Sequence, residues 1–91
     1  MKTISIIVNG RVQGVYFRQS IKDKAMELEI TGRVRNEADG SVKITACGED
    51  EQLQKLIKWC HKGPSGARVD GVQVEELSME HYNDFRIERN F

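Results

Sequence analysis

Apolar residues repeat in this chain with two alternating periods, and that alternation limits the fold more than any single residue does. Ile4, Ile6 and Val8 alternate with Ser5, Ile7 and Asn9, the period of a strand with one strongly apolar face. From Phe17 the spacing lengthens: Phe17, Ile21, Ala25 and Leu28 form the stripe of an amphipathic helix, and Gly32 follows its end. Val34, then Val42, Ile44 and Ala46, return to strand period on either side of Asp39-Gly40, a pair that supplies the left-handed position of a hairpin loop. Glu49-Asp50-Glu51 opens a second helix with Leu53, Leu56, Ile57 and Cys60 on one face. Its acids come first and Lys55, Lys58 and Lys62 later, in accord with the helix dipole, and Gly63-Pro64-Ser65-Gly66 stops it. Val69, Val72 and Val74 predict a fourth strand, and Phe85 with Ile87 a short stretch returning at the C-terminus.

The predicted order is β-α-β-β-α-β. Two helices with one apolar stripe each suit one face of a mainly antiparallel sheet, an α+β ferredoxin-like split β-α-β sandwich. In that layout the first and third strands are central neighbours and the second lies beside the third, with right-handed crossovers. At 91 residues, without repeat, linker or low-complexity stretch, residues 1–91 read as one small domain. The fold hosts many functions and decides none of them.

Charge and composition remove several classes of function. Fourteen basic residues balance fourteen acidic ones, which argues against a bulk electrostatic grip on nucleic acid. The zero covers a gradient, because residues 1–22 hold Lys2, Arg11, Arg18 and Lys22 and no acid. Such a stretch would draw a small anion, although the counts alone favour chance clustering on a solvated surface. No apolar run approaches the length of a membrane span, and the first residues lack the apolar core of a secretory signal. Cys47 and Cys60 form no CxxC pair and sit in apolar patterns, which reads as buried thiols in a reducing cytoplasm. His61 and His81 are isolated, so no metal site is expected. The predicted central strands carry none of the aromatics that an RNA-binding version of this fold displays. The chain also lacks GxxxxGK[ST], GxGxxG and HExxH, and Arg68 lies too far from Cys60 for a thiolate-phosphatase loop.

What remains is Gly10-Arg11-Val12-Gln13-Gly14-Val15-Tyr16-Phe17-Arg18, between the first strand and the first helix. A glycine-bearing turn that feeds a helix N-terminus presents consecutive N–H groups without internal partners, a cradle for an anion. Arg18 falls where a cation is unfavourable for the helix itself, and a guanidinium aimed at a bound oxyanion would explain it. A tight turn with a surface arginine explains the pattern equally well.

Those nine residues resemble the acylphosphatase signature, Gly-x-Val-Gln-Gly-Val-x-Phe-Arg. A second block, Gly32-Arg33-Val34-Arg35-Asn36-Glu37-Ala38-Asp39-Gly40-Ser41-Val42, resembles that family's other signature, Gly-aromatic-Val-x-Asn-x-x-x-Gly-x-Val. Gly63-Pro64, Ala67-Arg68-Val69 and Phe85-Arg86-Ile87 also look like family positions, so the likeness spans nearly the whole chain, at the length of the small free-standing enzymes. It implies metal-independent hydrolysis of a carboxyl–phosphate anhydride to a carboxylate and inorganic phosphate, with no cofactor and no phosphoenzyme. By motif position, Arg18 corresponds to the phosphate-binding arginine. The backbone amides of Gln13, Gly14, Val15, Tyr16, Phe17 and Arg18 correspond to its cradle, and Asn36 to the asparagine that positions the attacking water. The glycines at 10, 14 and 40 would shape the loops. One position departs from the pattern: Arg33 stands where the family has an aromatic, which would supply packing or a wall beside the site.

The chemistry is consistent with so spare a set. A carboxylate leaving group, with a conjugate-acid pKa of roughly 4, departs at neutral pH without a general acid. A loose phosphoryl-transfer transition state has little need of a strong base, leaving positioning and charge stabilisation to a cradle, an arginine and an amide. The expected partners are a small acyl phosphate and, as product and inhibitor, inorganic phosphate, bound by a cytoplasmic monomer without nucleic acid or membrane. The alternative is a regulatory module that holds phosphate or a carboxylate in the same loop without turnover.

Overall fold

A computed structural model describes residues 1–89 of the chain. Its elements are β1 (Lys2–Arg11), α1 (Phe17–Glu27), β2 (Thr31–Asn36), β3 (Val42–Gly48), α2 (Asp50–Lys62), β4 (Arg68–Leu77) and β5 (Phe85–Ile87). The sheet runs β4-β1-β3-β2-β5, and every neighbouring pair is antiparallel except β2–β5. The ferredoxin-like α+β order expected from the two periods is the one found, with β5 extending the sheet beyond β2.

Register explains the core. Ile4, Ile6 and Val8 stand opposite Ala46, Ile44 and Val42, and Ile44 stands opposite Val34, so one face of three strands is a continuous apolar floor. Phe17, Ile21 and Ala25 of α1 and Leu53, Leu56 and Cys60 of α2 bury their stripes in the same core. Phe17 also meets Trp59 edge-on at 5.8 Å between ring centroids, which ties the first turn of α1 to α2. None of these helices is long and apolar enough to cross a membrane among the described residues.

The opposite face is polar. Thr3, Ser5, Thr45, Arg33 and Arg35 point there, and the segment joining β4 to β5 crosses part of it. The Glu80 N–H donates to Thr3 Oγ1 at 3.0 Å, and Cys47 Sγ donates to the Glu80 carbonyl at 3.1 Å. Both cysteines are buried free thiols.

At two places in the strands only glycine fits. A side chain on Gly10 (φ 132°) would put its first carbon 2.1 Å from the Arg68 carbonyl, where β1 bulges against β4. One on Gly32 (φ 144°) would fall 1.9 Å from the Thr45 carbonyl. Gly10 is thus the bulge at which β1, past its last pair with β3 at Val8, shifts register against β4 just before the loop that leads to α1.

Candidate active site

That loop turns on Gly14 (φ 74°) and on Tyr16, a left-handed tyrosine at φ 68°, ψ 20° that immediately precedes α1. A bulky residue in this region costs about 1–2 kcal/mol, and such outliers concentrate at functional sites. Tyr16 offers no side-chain cap to the helix, and no acid stands in the first turn. The first N–H groups of α1 are therefore left to face whatever approaches the loop. Tyr16 is 71% exposed.

Beside the loop lies a cavity of about 260 Å³. Val12, Gly14, Tyr16, Phe17, Arg18 and Gln19 form its loop-and-helix wall, Asn36 comes from the end of β2, and Ile87 and Arg89 come from β5 and beyond. The structure thus brings Arg18 and Asn36 to one cavity. They are eighteen residues apart in sequence and meet because β2 runs out of the sheet beside α1. Of the six residues whose amides were expected to form the cradle, Gly14, Tyr16, Phe17 and Arg18 line the cavity, while Gln13 and Val15 do not.

Gln13 braces the site instead. Its Nε2 donates to the Glu37 carbonyl at 2.8 Å and to the Ser41 carbonyl at 2.9 Å, which pins the loop to the hairpin that follows Asn36. Within that hairpin Asp39 accepts from the Ser41 N–H at 2.9 Å and its hydroxyl at 2.6 Å. The hydroxyl bond first, then the backbone one, holds the Asp39 carboxyl below its ordinary value. Val15 packs against the core and toward Gly66.

Arg18 is half-buried at the second position of α1, and its Nη1 donates to the Glu88 carbonyl at 3.2 Å. That contact aims the guanidinium without neutralising it. Among the described residues no carboxylate lines the cavity, which holds two guanidinium groups. Nor do any three His, Cys, Asp or Glu side chains there converge as metal ligands.

Arg33 is elsewhere. Its side chain lies on the helix-free face, with its guanidinium 5.7 Å from the centre of the Tyr82 ring and 3.4 Å from Glu88 Oε2. The wall beside the site that an aromatic would have supplied at this position is therefore not a wall of this cavity.

The acylphosphatase family model matches residues 4–87. The chain belongs to the acylphosphatase family. It is 51% identical over 82 residues to the acylphosphatase of Marinobacter nauticus, covering 89% of each chain. A solved acylphosphatase from Coxiella burnetii superposes with a TM-score of 0.93 at 44% identity, covering 96% of this chain and 92% of that one. The crystal structure of the Bacillus subtilis acylphosphatase gives 0.94 at 36% identity, with 98% and 100% covered. Membership carries the family's reaction, hydrolysis of an acyl phosphate to a carboxylate and inorganic phosphate.

Sequence reasoning missed Glu88 and Arg89. Both follow the last apolar pair, Phe85 and Ile87, and belong to no quoted motif. Continuing the strand alternation beyond Ile87 would have put Arg89 on the cavity side and Glu88 on the other.

Proposed function

We propose that Arg18 and the amides at the start of α1 bind the phosphoryl group of the substrate, and that Asn36 orients the water that attacks it. The single observation carrying this reading is that Arg18 and Asn36, from separate signature blocks, line one cavity that contains no carboxylate among the described residues. The phosphoryl group sits against Gly14 and the Tyr16–Arg18 turn, with N–H donors on its equatorial oxygens. Arg18 adds a bidentate contact that a lysine could not copy. The Asn36 side chain offers a carbonyl to accept from the water and an amide to donate to it, so the water is held in line for attack.

The water oxygen bonds to phosphorus as the bond from phosphorus to the acyl oxygen breaks. The electron pair leaves with the carboxylate, and the water's proton passes to solvent or to the product phosphate. The charge spread over the equatorial oxygens in the loose transition state meets donors already in position, the largest contribution such a site can make. The leaving group is stable as an anion, so the step uses neither a general acid nor a metal. The same reading has residues 1–91 acting as one domain, as a monomer in a reducing cytoplasm, where thiols such as Cys47 and Cys60 stay free.

Steady-state assays with acetyl phosphate and benzoyl phosphate, with and without a chelator, test the reading. Turnover unaffected by the chelator is expected, with inorganic phosphate a competitive inhibitor. Phosphate binding without turnover would point to a regulatory module, and loss of activity restored by a divalent cation would overturn the metal-free chemistry.

A further inference from the structure

The Glu88 N–H donates to the Val34 carbonyl at 2.8 Å, so the extended path of β5 continues one residue past Ile87. Alternation then separates Glu88 from Arg89. The Glu88 carboxylate turns to the helix-free face, 3.4 Å from Arg33 and 3.8 Å from Arg35, while Arg89 shares the cavity with Ile87. Arg33, Arg35, Arg68 and Arg86 each have a carboxylate at 3.1–3.4 Å, whereas Arg18 and Arg89 have none among the described residues.

Two guanidinium groups in one small cavity repel each other unless anions occupy it. Arg18 is half-buried and anchored beside the loop, and the phosphoryl group with its cradle accounts for it. Arg89 is exposed at the solvent side of the same cavity and has no such ligand assigned to it, so it is free to meet the part of the substrate that extends beyond the phosphoryl group. We propose that Arg89 is a specificity-determining residue, and that the site favours acyl phosphates whose acyl group carries a second negative charge. This rests on the reading of Arg18 as the phosphoryl ligand and adds an acceptor for the other end of the substrate.

Benzoyl phosphate and 4-carboxybenzoyl phosphate test it, since they differ only in a remote carboxylate held away from the anhydride. The intact chain should show kcat/KM about three- to tenfold higher for the carboxylated substrate, the scale of one partly exposed charge pair. Arg89→Gln should abolish that preference mainly through KM, Arg89→Glu should reverse it, and added salt should erode it in the wild type. The proposal is overturned if the wild type shows no preference, if Arg89→Gln keeps it, or if Arg89→Gln weakens both substrates in equal proportion. Equal weakening would assign Arg89 to the phosphoryl end. A wild type inactive on both substrates would overturn the hydrolytic reading itself, and the plain benzoyl phosphate arm keeps the two failures apart.

Discussion

Arginines on the two faces of the sheet meet opposite fates. On the helix-free face Arg33 pairs with Glu88, Arg35 with Glu37 and Glu88, and Arg86 with Asp84, and Arg33 also lies over the Tyr82 ring. Tyr82 stays protonated there, its hydroxyl pushed up to about 12 by burial and by its hydrogen bond to Glu80. On the helix side Arg18 and Arg89 open on a cavity without a carboxylate among the described residues. A chain with no net charge can therefore pair the arginines of one face with carboxylates and leave a positive cavity on the other. Glu88 serves both, its carboxylate meeting Arg33 and Arg35 while its carbonyl aims Arg18. The difference taught is that an arginine's partner matters more than its position in a charge count.

The comparison is most easily broken at Arg18. Arg18→Ala is expected to lower kcat by about 10²–10³, the scale of losing one transition-state charge partner. Near-normal hydrolysis of benzoyl phosphate by that variant would remove Arg18 from the chemistry. Asn36→Ala should cost less, about 10–10² in kcat, because it misplaces a neutral nucleophile and leaves the phosphoryl ligands intact. Competitive inhibition by phosphate should persist in this second variant; its loss would make Asn36 an anion ligand.

Most of the fold was legible because periodicity is a local signal. The stripe Phe17, Ile21, Ala25 and the alternation of Ile4, Ile6 and Val8 each report a face without reference to the rest of the chain. The site was legible only in parts. Arg18 and Asn36 could be named from their motifs, but their convergence depends on β2 lying beside β3 and on the exit of β2 toward α1. Gln13 was assigned a backbone role, and its bracing side chain depends on where the hairpin carbonyls come to rest. Arg33 was legible as a departure from the family pattern but not as to side, because its neighbours over the sheet, Tyr82 and Glu88, lie some fifty residues along the chain. Tyr16 gave no sign of a left-handed backbone, since glycine and asparagine are the residues that announce one.

The two cysteines extend the contrast to stability. Cys47, on the helix-free side, has hydrogen-bond partners in Thr3 and Glu80, whereas Cys60 lies in the apolar core, where burial pushes its thiol from an ordinary value of 9.0 up to about 12. A thiol whose pKa is raised by folding contributes stability that is present below its unfolded value and lost as pH climbs toward the folded one. The stability advantage of the wild type over Cys60→Ala should therefore shrink above pH 9, by about 1.4 kcal/mol per pH unit. Denaturant melts of both proteins between pH 8 and about 11 measure this, and parallel pH profiles would place Cys60 in a less apolar setting.

The smallest effect is expected at Arg33, and it tests the face of paired arginines directly. Arg33 and Glu88 side chains are 42% and 36% exposed, so their pair gains little over water and is screened by salt. Contact with the Tyr82 ring adds a comparable increment. Arg33→Ala should lower stability by about 0.5–1 kcal/mol, less at high ionic strength, and change kcat/KM for benzoyl phosphate by less than about twofold. The activity should hold because the Glu88 main chain stays in place through its bond to Val34, and Arg35 remains to meet the Glu88 carboxylate. A tenfold loss of kcat at unchanged stability would show that the ion pair, rather than the Val34 ladder bond, sets the Glu88 carbonyl against Arg18. The two faces would then be coupled through one residue, and their arginines could no longer be treated as separate sets.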